Sequence, residues 1–127
     1  MSREKKELGR RAEEMAEACL RKKGYRIREK NYICARGELD LVAQEGEVLV
    51  FVEVRSRKGG GSLPETSVGR AKQRQIVRAA EFYLAERGWE GDCRFDVVAI
   101  QLTPSGKLES VKLIRDAFSR EGLETFE

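Results

Sequence analysis

The sequence predicts an α/β fold: a mixed β-sheet flanked by helices, with the elements in the order α-β-β-β-α-β-β. Three observations support it: an amphipathic segment near the N-terminus, two strand-like segments separated by a glycine turn, and a second amphipathic segment followed by another apolar run. The 127 residues fit one domain. We expect a single domain over residues 1–127, with an acidic tail at about 116–127 that frays or forms a short helix.

The first helix is predicted over about residues 5–23, and Gly24 follows it at the position of a C-cap glycine. Glu13 lies at the edge of the apolar stripe of this helix, whereas Glu14 points away from the stripe. The sequence therefore places two adjacent glutamates in different environments. The stripe consists of apolar residues at helical spacing: Leu8, Ala12, Met15, Ala16, Cys19 and Leu20.

Three strands are predicted next. Residues 25–32 alternate weakly and indicate an edge strand, and residues 38–44 and 48–56 indicate two clearer strands. Glu45-Gly46 between these two strands predicts a tight hairpin turn. Residues 48–56 are almost entirely β-branched or aromatic, which is typical of a strand that is buried on both faces.

The second half of the chain begins with a glycine-rich connection at residues 58–67. Its glycines 59–61 form either an ordinary mobile connection or a loop that folds over a substrate. Ser67 is the expected N-cap of a helix over about residues 68–87, which Gly88 would end. Residues 93–102 predict another buried strand, and residues 108–114 predict the last one.

Two charged residues interrupt the core strand at residues 48–56. Because side chains alternate along a strand, Glu53 and Arg55 share a face with Leu49 and Phe51. Lone charges on a covered face are costly to desolvate, so this placement needs a reason. One interpretation is a structural ion pair with neighbouring charges. The other is a metal site.

The hairpin supports the metal site. With a Glu45-Gly46 loop, Asp40 lies opposite Phe51 and diagonal to Glu53, on the same face of the sheet. Two carboxylates that converge at one strand end can hold a divalent cation and a water. Glu13 from the first helix would add a third oxygen ligand.

Histidine is absent from the sequence, and no two of its three cysteines form a CxxC pair. This excludes zinc fingers and imidazole-based catalysis, and we interpret the cysteines as reduced core thiols. A metal site would therefore use oxygen ligands, which points to Mg²⁺, Mn²⁺ or Ca²⁺.

Charge is distributed unevenly along the chain. Residues 31–54 hold one arginine against five acidic residues and lie between two strongly basic segments, 1–30 and 55–78. This pattern suits either an acidic metal site within a phosphate-binding surface or an ordinary solvated surface. The residues expected to neutralise phosphates are Arg57, Lys58, Arg70, Lys72, Arg74 and Arg78.

Asp40, followed by Glu53-Val54-Arg55, resembles the PD-(D/E)XK nuclease signature. With the motifs around it, the sequence resembles the YraN-like family of bacterial uncharacterised proteins over roughly residues 7–101. That resemblance implies a restriction-endonuclease-like fold, related to archaeal Holliday junction resolvases. The further motifs are Gly9-x-x-x-Glu13, Gly37-Glu38-Leu39-Asp40-Leu41, Lys72-Gln73-Arg74 and Arg94-Phe95-Asp96-Val97-Val98.

The resemblance also implies roles for single residues. It carries the metal ligands onto Asp40 and Glu53 and an acidic helix position onto Glu13. The usual lysine is replaced by Arg55, which stabilises charge but stays protonated near neutral pH. Lys72 either compensates for this replacement or contacts a phosphate.

We therefore expect a Mg²⁺- (or Mn²⁺-) dependent DNA endonuclease acting on branched or otherwise structured DNA. A second hypothesis is a non-catalytic nucleic-acid-binding protein that keeps the nuclease fold, and a third is a protein-interaction module that uses the acidic tail. No apolar run is long enough to span a membrane, and the charged N-terminus lacks the core of a signal peptide, so we expect a cytoplasmic protein. A homodimer remains an open alternative.

Overall fold

A computed structural model describes residues 3–59 and 68–120. It confirms the expected α/β class and the order α-β-β-β-α-β-β. Within the described part of the chain, neither helix combines the length and apolar character needed to cross a membrane. The elements are α1 (Arg3–Lys22), β1 (Arg26–Cys34), β2 (Gly37–Glu45), β3 (Val48–Lys58), α2 (Arg70–Arg87), β4 (Cys93–Leu102) and β5 (Leu108–Phe118).

The five strands form one mixed sheet in chain order, β1-β2-β3-β4-β5. Neighbours are antiparallel except β3 and β4, which run parallel because α2 carries the chain back across the sheet between them. Helices α1 and α2 cover opposite faces, each with its own apolar core. The α2-side core includes Val42, Leu49, Phe51, Ile76, Tyr83, Phe95 and Val97. The α1-side core includes Ala12, Ala16, Leu20, Leu41, Val50, Val52, Val98 and Ile100.

The hairpin register differs from the expected one. Glu45 pairs with Val48, so the two-residue loop is Gly46-Glu47 and not Glu45-Gly46. Gly46 has a φ of 61° at the first loop position, which is where a type II′ hairpin turn needs glycine. Leu41 pairs with Val52, so continuing the ladder puts Asp40 opposite Glu53. The expected position opposite Phe51 is wrong, but the shared face is confirmed.

Two element ends also differ from expectation. Gly69 is the N-cap of α2, without a side-chain hydrogen bond, whereas Ser67 lies outside the described residues, as do Gly60 and Gly61. At the other end, Gly88 has a φ of 66°, confirming the expected left-handed C-cap. Strand β5 runs to Phe118, so residues 116–118 of the expected tail belong to the sheet. Residues 119 and 120 lie beyond the strand, and the tail from residue 121 onward lies outside the described residues.

Candidate metal and phosphate site

Asp40 and Glu53 meet where strands β2 and β3 separate. The backbone ladder between these strands is regular as far as the Leu41–Val52 pair. Just beyond this pair, the Asp40 carboxylate accepts a hydrogen bond of 2.8 Å from the backbone N–H of Val54. A side chain thus takes the place of a main-chain partner. This contact fixes the Asp40 carboxylate beside Glu53, which is only 7% exposed.

The Glu53 carboxylate is energetically strained by this position. Burial, the charge of Asp40 and a hydrogen bond with Asp40 raise its pKa from the ordinary 4.5 to about 8, although Lys72 and Arg55 act in the opposite direction. Two neighbouring carboxylates with few donors are hard to ionise together. A bound cation would relieve this repulsion, which is the electrostatic character of a metal site.

Two cations border Glu53 at ion-pair distance. The guanidinium of Arg55 lies 3.9 Å from the Oε2 atom of Glu53, and the Nζ atom of Lys72 lies 4.0 Å from the same oxygen. Both distances exceed the range of about 2.7–3.2 Å for an N–H···O hydrogen bond. The expected ion pair of Glu53 with Arg55 therefore exists in a loose form, and it leaves the adjacent Asp40 unexplained.

Lys72 reaches Glu53 because it lies on the side of α2 that faces the sheet. It belongs to the helix stripe that faces the sheet and that includes the buried residues Ile76, Val77, Ala79, Ala80 and Tyr83. The expectation that Lys72 points toward the sheet is confirmed. Together with strand β3 it borders an open surface that we call the Glu53 groove, lined by Glu53, Val54, Arg55, Ser56, Arg57 and Lys72.

Glu13 approaches the pair from helix α1. Burial and the charge of Asp40 raise the pKa of Glu13, whereas the polar side chain of Asn31 lowers it. The carboxylates of Glu13 and Asp40 therefore interact electrostatically. Yet among residues 3–59 and 68–120 there is no group of three or more His, Cys, Asp or Glu side chains that could hold a metal. The role of Glu13 as a ligand stays a prediction.

The expected phosphate-binding residues divide into two sets. Arg57 and Lys72 line the Glu53 groove. Arg70, Arg74 and Arg78 recur every four residues, and at 3.6 residues per turn they fall on the side of α2 roughly opposite Ile76. These three arginines therefore project away from the sheet. Lys58 is exposed at the end of β3.

Outside the groove, two other expectations can be compared with the structure. Asp96 is fully buried and hydrogen-bonded to Tyr25 and Arg94, as expected for a structural carboxylate. The cysteines are free thiols, but they are half-buried and not in the core as expected; Cys34 and Cys93 pack against the edge of the α2-side core. Sequence reasoning missed the left-handed conformation of Asn31, whose φ is 53° within β1. Its only signal is an asparagine inside a strand, where this residue is depleted.

The fold and the site define a small mixed α/β protein with paired carboxylates bordered by arginine and lysine. A family model described as "Uncharacterised protein family UPF0102" matches residues 12–100, and the chain belongs to that family. This confirms the expected YraN-like membership. The matched segment contains all of the predicted catalytic and metal-binding residues: Glu13, Asp40, Glu53, Arg55 and Lys72.

Individual relatives are similar over most of their length. The chain is 45% identical over 112 residues to a UPF0102 protein of Syntrophus aciditrophicus, covering 87% of each chain. It is 48% identical over 118 residues to one of Anaeromyxobacter sp., covering 90% of this chain and 86% of the relative. A UPF0102 protein of Moorella thermoacetica is 42% identical over 120 residues, which cover 93% of this chain and 100% of the relative. These descriptions name no activity, so function must be argued from the site.

Proposed function

We propose that this protein is a metal-dependent DNA endonuclease of the PD-(D/E)XK type. The observation that carries the proposal is the pairing of Asp40 with the buried Glu53, with Arg55 and Lys72 both within 4.0 Å of the Glu53 carboxylate. Carboxylates to hold a cation and side-chain cations to hold a phosphate are the two components that hydrolysis of a phosphodiester requires.

The residues at this position fit Mg²⁺ or Mn²⁺. Their donors are carboxylate oxygens, which hard divalent cations prefer. The mutual repulsion that raises the pKa of Glu53 would be relieved by a cation between the two groups. Asp40 and Glu53 would hold the ion, with Glu13 assisting directly or through a water. When bound, the ion would supply Lewis-acid polarisation of the phosphate and activation of water at neutral pH.

The neighbouring cations would act on the substrate. Arg55 and Lys72 are placed to hold the scissile phosphate and to offset the charge that develops on it. Lys72 has an additional importance, because Arg55 stays protonated and cannot pass on a proton. The Nζ atom of Lys72 lies 4.0 Å from Glu53. Lys72 is therefore the best candidate in the groove for the role of the lysine in the PD-(D/E)XK signature.

Binding of DNA would depend mainly on its backbone. Arg57 lines the groove and Lys58 lies beside it, and contacts of this kind position phosphates without reading sequence. The preference for branched or structured DNA is carried over from the resemblance to archaeal Holliday junction resolvases. A cytoplasmic location and a homodimer that cuts two strands symmetrically belong to the same proposal.

A second candidate function is nucleic-acid binding without turnover. Arg55 favours it, because this arginine stands where the nuclease signature has lysine. Cleavage assays of the natural chain and of Arg55→Lys separate the two candidates. In a nuclease that uses Lys72, this variant keeps cleaving. In a binding protein, neither the natural chain nor this variant cleaves, although both retain salt-sensitive binding to DNA.

The test is cleavage of labelled linear, single-stranded and four-way-junction DNA with Mg²⁺ or Mn²⁺. We compare the natural chain with Asp40→Asn and Glu53→Gln. The matched control is Glu47→Gln, because Glu47 is an exposed acid in the turn of the same hairpin, at the opposite end from the pair. We expect metal-dependent cutting by the natural chain and the control, and none by the two site variants. Equal cutting by all four proteins would contradict the proposal.

A further inference from the structure

The first turn of helix α2 receives little support from its own sequence. Its N-cap is Gly69, which has no side chain to accept hydrogen bonds from the turn, and the turn contains no acidic residue. It contains Arg70 and Lys72 instead, whose positive charges lie at the positive end of the helix dipole. Helix ends fray readily, so this turn needs support from contacts outside its local sequence.

Gln73 makes such a contact. Its side-chain amide donates a hydrogen bond of 2.7 Å to the backbone carbonyl of Val68. Its own backbone N–H donates one of 2.9 Å to the carbonyl of Gly69. Val68 is only 7% exposed and belongs to the α2-side core. Gln73 thus ties the first turn of α2 to the residue that anchors the chain in the core just before the helix begins.

This link joins the two positions that a hydrophobic staple joins. With Gly69 as the N-cap, Val68 is the residue before the cap and Gln73 is the fourth residue of the helix. In a staple, apolar side chains at these positions pack together and fix the direction in which the chain enters the helix. Here a glutamine amide and a main-chain carbonyl make the connection, and a hydrogen bond adds a directional restraint.

Lys72 lies inside the turn that Gln73 ties down. Its Nζ atom is 4.0 Å from the Glu53 carboxylate, and its side chain is 41% exposed. Because the side chain is partly solvated, the position of its ammonium depends on where the backbone of the first turn lies. A displacement of about 1 Å in a group that acts on a substrate can lower a reaction rate up to about 100-fold.

We propose that Gln73 is a positioning residue for Lys72: by tying the first turn of α2 to Val68, it keeps the lysine ammonium at the Glu53 groove. The inference rests on the proposed function, because it takes Lys72 to act on the scissile phosphate. Gln73 acts through Lys72 and needs no contact with the substrate. The middle residue of Lys72-Gln73-Arg74 thereby has a role that differs from those of its two charged neighbours.

The test compares Gln73→Met with Gln75→Met. Methionine has about the length and the helix propensity of glutamine, but it has no N–H group to donate. Gln75 is an exposed glutamine two residues further along the same helix, so Gln75→Met is the matched control.

Backbone hydrogen exchange, followed by NMR without DNA or metal, tests the structural step. We expect Gln73→Met to speed exchange at residue 73 roughly 5-fold relative to exchange at Ala80, in the middle of the helix, because one hydrogen bond is lost. Gln75→Met should leave exchange at residue 73 unchanged. Equal exchange at residue 73 in Gln73→Met and in the natural chain overturns the inference.

Cleavage tests the link to Lys72, in a double-mutant cycle with Lys72→Met. We expect Gln73→Met to lower the single-turnover rate of cleavage at saturating DNA about 10-fold, and Gln75→Met to leave this rate unchanged. In the Lys72→Met background, Gln73→Met should change nothing further. An equal loss in both backgrounds overturns the inference, because Gln73 would then act without Lys72.

The failure of the inference and that of the proposed function are distinguishable. Absence of cleavage by the natural chain with either metal overturns the proposed function and the inference with it. Unchanged hydrogen exchange in Gln73→Met overturns the inference alone and leaves the proposed nuclease standing.

Discussion

Two buried carboxylates lie almost side by side on the central parallel strands, and they differ in how well they are satisfied. Asp96 on β4 pairs with Val52, one residue before Glu53 on β3, so the two acids face opposite sides of the sheet. Asp96 accepts hydrogen bonds from Tyr25, from Arg94 and from the backbone N–H of Asp116, at 2.9–3.1 Å. Glu53 has cations at 3.9 and 4.0 Å and a second carboxylate beside it.

This difference separates a structural acid from a functional one. A buried carboxylate with a full set of donors stabilises the fold, because each donor compensates for lost hydration. A buried carboxylate with few donors and a raised pKa is destabilising by itself, and it is retained where it serves another purpose. Burial alone does not distinguish them, because both side chains are below 10% exposed.

The largest expected effect is on stability, at Asp96. Asp96→Asn should lower the free energy of unfolding by about 3 kcal/mol, because it removes the charge that compensates half-buried Arg94. Urea denaturation measures this loss. A loss below about 1 kcal/mol would mean that Asp96 is no better satisfied than a surface acid, and the comparison with Glu53 would fail.

Next in size is the effect of Lys72 on cleavage. Lys72→Met should lower kcat about 100-fold, the size typical for removing one group that stabilises developing charge. Its matched control is Arg74→Met, on the opposite side of the same helix, which should change kcat by less than about 3-fold. Single-turnover cleavage of a labelled junction measures both variants. Equal effects of the two would show that Lys72 supplies only general positive charge.

The pH dependence of stability should be governed in part by Glu53. Its pKa of about 8 in the folded protein lies above the ordinary 4.5, so the folded state holds a proton that the unfolded state releases. The resulting stabilisation is complete below pH 4.5 and is lost as pH rises through 8. In chelator, Glu53→Gln should abolish most of the loss of stability between about pH 4.5 and about pH 8.5. If the free energy of unfolding depends on pH in the same way for the natural chain and for Glu53→Gln, the raised pKa of Glu53 is contradicted.

The smallest expected effect is on salt dependence. Arg57→Ala should reduce the slope of log K for DNA binding against log salt by about 1, which corresponds to one lost phosphate contact. The control is Arg28→Ala. Arg28 lies away from the groove, where it stacks on Trp89 and donates a hydrogen bond to Gln44, so this variant should leave the slope unchanged. Fluorescence anisotropy at several salt concentrations distinguishes the two variants. Equal slopes for both would remove Arg57 from the DNA-binding surface.

The acidic pair was predictable because it depends on local patterns. The β-branched and aromatic run around Glu53 fixes the strand, and alternation then fixes its face. The hairpin loop was shifted by one position, since Glu45-Gly46 and Gly46-Glu47 are both two-residue loops that contain glycine. Both loops keep Asp40 on the same face of the sheet as Glu53. The shifted loop therefore changes which β3 residue lies opposite Asp40, but Asp40 and Glu53 still lie together.

Other features depend on contacts between distant parts of the chain. Strand β5 continues past Ile114 because Arg115 is held by Glu45 and the backbone of Asp116 by Asp96. The left-handed conformation of Asn31 within β1 is a second such feature. Strand patterns contain no information about such partners, so neither feature could be derived from periodicity.

The most direct measurement is the change in Tm on adding Mn²⁺ at pH 7.5, without DNA, for the natural chain, Glu53→Gln and Glu47→Gln. A ligand that binds only the folded state raises Tm. We expect Mn²⁺ to stabilise the natural chain and Glu47→Gln but not Glu53→Gln, because the unsatisfied carboxylate would hold the ion. An equal change in all three proteins, or none in any, would contradict a metal site at Asp40 and Glu53.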